Sequence, residues 1–169
     1  MIINSNKAQA GFTLIEVLLA LVLGVIVIGL AFSFYSQGQT LYSKAQNQVD
    51  AQSQLRLAMT HIKSELSVAT NIEISDAPGS YEVGFFYFYV NDKTMVIKDG
   101  TASPKSLPGC LPLPELTVSF SISPHQVNMV RVHMMSGEVE LNSDILTQNT
   151  AAIVGDTTER TTIKFKRIN

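Results

Sequence analysis

One stretch limits every fold this chain can adopt. Phe12 to Phe34 is a strongly apolar run of 23 residues with a single carboxylate, Glu16, near its start. A helix rises ~1.5 Å per residue and bilayer hydrocarbon is ~30 Å thick, so the run is long enough to span with some tilt. A cleaved secretory signal has an apolar region of only about 7–15 residues, so an uncleaved anchor is the better reading. A carboxylate inside hydrocarbon costs roughly 2.5–3.5 kcal/mol on the mildest scale. A chain that keeps one there needs a reason, and the reason expected here is self-assembly, with a cationic partner supplied by another subunit.

Punctuation divides the rest. All six prolines (78, 104, 108, 112, 114 and 124) lie beyond residue 77, and the first 77 residues hold four glycines, at 11, 24, 29 and 38. Proline costs about 3 kcal/mol inside a helix, so a proline-free first half suits one very long helix. The proline-rich second half suits strands and turns. The net charge of -2 offers no broad basic surface, which disfavours nucleic acid as a partner. The single cysteine, Cys110, allows no internal disulfide. Lys7 precedes the apolar run, so that flank is expected on the cytoplasmic side and the bulk of the chain outside the inner membrane.

Gly11-Phe12-Thr13-Leu14-Ile15-Glu16-Val17-Leu18-Leu19-Ala20-Leu21 resembles the N-terminal signature of type IV pilins and of the pseudopilins of type II secretion and competence systems. The resemblance covers roughly the first 30 residues. It implies that a prepilin peptidase cuts between Gly11 and Phe12 and N-methylates Phe12, leaving residues 1–11 as a leader. It further implies that Glu16, the fifth mature residue, serves assembly. Physics agrees: the cut exposes an ammonium at Phe12, and Glu16 of one subunit can neutralise that amine on a neighbour, which sets their axial register. The side chains expected in lipid or in a filament core are Phe12, Leu14, Ile15, Val17, Leu18, Leu19, Leu21, Val22, Leu23, Val25, Ile26, Val27, Ile28 and Leu30. Implied partners are other pilins or pseudopilins, the prepilin peptidase and inner-membrane lipid.

Beyond the span (12–34), an amphipathic helix (35–71) is expected to carry the soluble domain. Leu41, Ala45, Val49, Gln52, Leu55, Met59, Ile62, Leu66 and Ala69 recur at spacings of three and four, one face of a helix running from about Thr13 to about Asn71. The stretch Gln54 to Leu66 resembles the corresponding helix of PilW-type minor pilins and J-type minor pseudopilins, which implies a low-abundance subunit.

Residues 72–169 read as an antiparallel sheet domain. Val83 to Val90 and Thr94 to Lys98 form a hairpin about Asn91-Asp92-Lys93, with Phe86, Phe88 and Val90 on one face and Phe85, Tyr87 and Tyr89 on the other. Leu116 to Ser123, Val127 to Met134, Val139 to Leu141 and Thr161 to Ile168 supply further strands. Loops are expected over 100–114 and 142–159. The whole is α+β and type IV pilin-like: a long N-terminal helix packed on an antiparallel β-sheet.

Catalytic chemistry is not apparent. His61, His125, His133 and Cys110 lack metal-ligand spacing, and there is no phosphate loop, dinucleotide fingerprint or nucleophile elbow. Neither cofactor nor enzymatic activity is expected. Three readings follow: a minor pilin, a minor pseudopilin of a secretion or competence system, or a filament-tip module that binds DNA or a surface. Lys164, Lys166 and Arg167 are the small basic end that the last reading would use.

The cleavage site is directly testable. Gly11→Ser is expected to leave full-length precursor on a gel in cells making the peptidase, and normal-sized mature protein from that variant would refute the site.

Overall fold

Freedom from proline up to residue 77 is realised as a single helix. In the computed structural model, which describes residues 12–167 apart from 77–79, 125, 127, 151–152 and 156, helix α1 spans Leu14–Ser67, 54 residues without a break. The expected leader, residues 1–11, lies outside the described residues. Hydroxyls donate to carbonyls within the helix, among them Ser33 Oγ to Gly29 (3.0 Å), Thr40 Oγ1 to Ser36 (3.1 Å), Thr60 Oγ1 to Arg56 (2.8 Å) and Ser67 Oγ to Ser64 (3.1 Å). Such back-bonding serves side chains that would otherwise compete with the helix.

The helix ends earlier than the expected Asn71. It stops at Ser67, and strand β1 begins at Thr70 (Thr70–Ser75). Ile72 and Ile74 are buried two residues apart, the period of a strand, and Asn71 adopts φ 51, which asparagine tolerates. A partner far along the chain also meets the helix end, the Gln148 amide donating to the Ser67 carbonyl at 3.2 Å.

The chain divides into two units, Met1–Ala45 and Gln46–Asn169. In the first, every described residue is exposed except Gly24, which is half-buried. Its apolar window has a mean hydropathy of 2.9, enough by length and composition to cross a membrane.

The second unit holds the core. Its helical part buries Ala51, Leu55, Ala58, Met59, Ile62 and Leu66. The expected face is therefore correct only from Leu55 onward: Leu41, Ala45, Val49 and Gln52 are exposed, and Ala51 and Ala58 join the core instead.

Among the described residues, eight strands form two antiparallel sheets, where one sheet was expected. The first has the order β1-β8-β2-β3-β4, with β2 Phe86–Asn91, β3 Thr94–Asp99, β4 Lys105–Ser106 and β8 Thr162–Lys166. The second has the order β5-β6-β7, with β5 Thr117–Ile122, β6 Met129–Ser136 and β7 Val139–Leu146. Phe120 and Arg160 exchange backbone hydrogen bonds at 2.7 and 2.8 Å and tie the outer edge of β5 to the segment leading into β8. Helix and both sheets share one hydrophobic cluster. At its centre Phe165 stacks on Phe86 and Phe88 with centroids at 5.8 and 5.1 Å. The β2–β3 hairpin closes through Asp92 (φ 45) and Lys93 (φ 62), the left-handed pair of a tight two-residue turn.

The loop expectations need revision. Asn142 to Leu146 belong to β7, because Arg131 on β6 faces Asp144 in register and binds it through two hydrogen bonds, at 2.9 and 3.1 Å. Asp144 is thus a cross-strand partner and not a solvated turn residue. The segment 100–114 is a tied strap. It contributes β4, buries Leu107 and Leu113, and donates from Leu107, Leu113 and Leu111 to Met95 O, Lys93 O and Gln54 Oε1.

Removing Phe165 takes out the ring that joins β8 to β2. Phe165→Ala is expected to destabilise the second unit by roughly 3–5 kcal/mol, read as a shifted denaturant midpoint of the detergent-solubilised protein. An unchanged midpoint would contradict this account of the core.

Candidate functional site at the head of the helix

Glu16 lies in the first turn of α1, and Thr13 stands just before the helix. The Thr13 backbone amide and Oγ1 both donate to Glu16 Oε2 at 3.0 Å. In return the Glu16 amide donates to the Thr13 carbonyl at 3.1 Å, with the Thr13 hydroxyl oxygen 3.4 Å away. This is a reciprocal cap: a threonine ahead of the first turn and a glutamate three residues on satisfy each other's polar groups. Thr13 was not singled out from sequence, although Thr-x-x-Glu before an apolar run is the pattern of such a cap. The carboxylate is thereby partnered within its own chain at the end of the helix where the dipole favours it.

Phe12 is 85 % exposed, and the expected cleavage partner Gly11 lies outside the described residues. From Leu14 to Leu30 the apolar side chains expected in the span are all exposed in the single chain. The head of the helix therefore offers a hydrogen-bonded carboxylate, an exposed Phe12 nearby and an uncovered apolar rod. That equipment suits insertion and packing.

The second unit presents charges that are largely tied. Lys164 Nζ reaches Glu82 at 2.7 Å and Glu73 at 3.3 Å, and Arg167 holds Glu65 through two bonds of 2.6 and 2.7 Å. The hydrogen bond to Glu82 raises the Lys164 pKa against the opposing effect of burial. The small basic end read from sequence is thus neutralised at two of its three positions, with Lys166 left exposed. The tyrosine-bearing face of β2 is covered in part: Tyr87 is buried, Tyr81 meets it edge-on at 5.1 Å, and Lys98 Nζ sits 3.2 Å from the centre of the Tyr81 ring. Burial and then a hydrogen bond with Tyr81 push the Tyr89 pKa up to about 12. Burial also raises the Cys110 pKa, so its thiolate is disfavoured.

His61 Nε2 lies 3.1 Å from the Pro108 carbonyl. His133 lies 3.2 Å from Glu140 and 3.8 Å from Glu159, close in distance without an aligned hydrogen bond to either. His125 lies outside the described residues. Among the described residues, no group of three or more His, Cys, Asp or Glu side chains is arranged to hold a metal ion.

A raised tyrosine pKa means that folding favours the neutral phenol. The stabilising contribution of Tyr89 is complete below the ordinary value of 10.0 and is lost as pH climbs toward about 12. In a spectrophotometric titration a late-ionising component is expected in the wild type and not in Tyr89→Phe. Identical titrations would show that Tyr89 is not the shifted group.

Residues 6–32 match the family model described as the prokaryotic N-terminal methylation motif. No curated protein matches the chain in sequence. Among solved structures, the PilB minor pilin from Streptococcus sanguinis aligns with a TM-score of 0.47 and 15% identity. The alignment covers 72% of this chain and 35% of that one, so the chain spans only about a third of that protein's length. The helix-and-sheet assignment above rests on this chain's own geometry. The head of the chain thus carries a prokaryotic N-terminal methylation motif.

Proposed function

We propose that the protein is a minor pilin-like structural subunit, held in the cytoplasmic membrane by residues 12–34 with its C-terminal domain on the extracytoplasmic side. A prepilin peptidase removes residues 1–11 and N-methylates Phe12. The mature subunit then enters, or initiates, a type IV pilus through its N-terminal helix. The observation that carries this reading is the coincidence of the methylation motif over residues 6–32 with a 54-residue helix whose membrane-length head is exposed and bears one capped carboxylate.

Cutting before Phe12 would free an ammonium one turn from Glu16. In the isolated chain Thr13 keeps the carboxylate partnered, so the subunit can wait in lipid. In an assembly, the Phe12 amine of a neighbour gives the same carboxylate a charge-assisted partner, and such pairs are stronger than neutral hydrogen bonds. A minor pseudopilin would use the same physics, so neighbouring genes distinguish the two: a major pilin and retraction ATPase favour a pilus, an outer-membrane secretin favours secretion. The tip-binding reading loses support from the pairing of Lys164 and Arg167 with glutamates.

Two measurements test the proposal. Mass spectrometry of the N-terminal peptide from the native host is expected to show methylated Phe12, and an intact leader on working protein would overturn the assignment. Glu16→Ala is expected to insert normally but to be depleted from filaments or their initiating complex. Wild-type incorporation of that variant would remove the charge-pairing step.

A further inference from the structure

Lipid covers the apolar side chains of residues 12–34, but the apolar face of α1 continues beyond that length. A run of ~20 residues already crosses ~30 Å of hydrocarbon. Past it, Tyr35, Leu41, Tyr42 and Val49 remain 63%, 68%, 73% and 61% exposed. Three of these four, Tyr35, Tyr42 and Val49, share one face. Ala31, Tyr35, Gly38, Tyr42, Ala45 and Val49 follow one another at alternating spacings of four and three, the seam of a helix that packs on another helix. The opposite face carries Ser36, Thr40, Lys44 and Asn47.

The seam also has a socket. Tyr35, Gly38, Gln39 and Tyr42 stand at positions i, i+3, i+4 and i+7, the four residues that frame a hole for one knob of a facing helix. They line a groove of about 470 Å³ together with Ser43. Its floor is Gly38, where an added Cβ would meet nothing within 4 Å, and its wall is set by Gln39 Nε2 donating to Tyr35 Oη at 2.6 Å. A glycine floor between two tyrosines leaves room for a large knob.

We propose that this groove receives Tyr42 of a second copy of the chain, lying parallel and shifted by four residues. Size alternates along the seam: small at Ala31, Gly38 and Ala45, large at Tyr35, Tyr42 and Val49. A shift of four residues, ~6 Å along the axis, sets Tyr35 against Ala31, Tyr42 against Gly38 and Val49 against Ala45. The same shift sets Glu16 against Phe12, since 16 − 12, 35 − 31, 42 − 38 and 49 − 45 are all four. One register thus satisfies both the charge pair at the membrane end and the aromatic packing outside it. The parallel orientation follows from a shared membrane insertion. The inference rests on the processing proposed above, because the register uses the amine freed at Phe12.

The test is crosslinking in membranes of cells that make a prepilin peptidase, with two differently tagged full-length copies carrying Cys110→Ser. One copy carries Ala45→Cys and the other Val49→Cys, which leave the socket intact. This pair is expected to crosslink several-fold more than Ala45→Cys with itself and more than Ser36→Cys with Thr40→Cys on the opposite face. Adding Gly38→Leu to both copies, a change that suits a helix, is expected to reduce the crosslink to background while membrane insertion is retained. Equal crosslinking on both faces, equal yield from the same-residue pair, or indifference to Gly38→Leu would each overturn the seam. Absence of crosslinks alongside methylated Phe12 defeats the seam and leaves the processing intact. The offset crosslink on a chain that keeps its leader defeats the processing and leaves the seam as a dimer face.

Discussion

The structure depends on how one negative charge is kept at the head of a helix that carries no other charge before Lys44. Glu16 is held by the amide and hydroxyl of Thr13, so its cost in an apolar surrounding is met first by its own chain. That cap also starts the helix, because it satisfies amides that the first turn leaves without partners. In the function proposed above, anchor and assembly device share this one local arrangement, and a neighbour's amine would engage the same carboxylate that begins the helix.

The two units solve opposite problems. The first exposes nearly everything it has. The second covers its own apolar surface with a helix segment, a five-stranded sheet and a three-stranded sheet. Its charges are settled on its surface by pairs such as Lys164 with Glu82 and Arg131 with Asp144. Exposed pairs of this kind contribute little to stability. Here they tie Lys164 and Arg167 to glutamates.

Periodicity carried the reading of local elements a long way. The β2–β3 hairpin, the alternation of Val130 and Val132, and that of Ile163 and Phe165 all appear as the residue pattern implies. The failures have identifiable causes. Strand β1 lies directly behind a helix with the same apolar richness, and only the two-residue spacing of Ile72 and Ile74 marks the change. Strand β7 carries Asn142, Ser143 and Asp144, which look like loop residues until Arg131 stands opposite. The stripe from Leu41 to Gln52 has helical spacing, but spacing says which residues share a face and not what covers that face.

By itself the sequence determined a long proline-free helix, a membrane-length head with one acidic residue, a methylation motif over residues 6–32, and a strand-rich remainder. Each of these follows from short-range rules, because backbone propensity, hydropathy and residue spacing act within a few positions along the chain. Only the tertiary structure decided that the strands make two sheets, that burial on the helix begins at Ala51, and that Lys164 and Arg167 are neutralised. Those outcomes depend on contacts between residues far apart in sequence, such as Phe120 with Arg160 and Ser67 with Gln148, which no local pattern encodes.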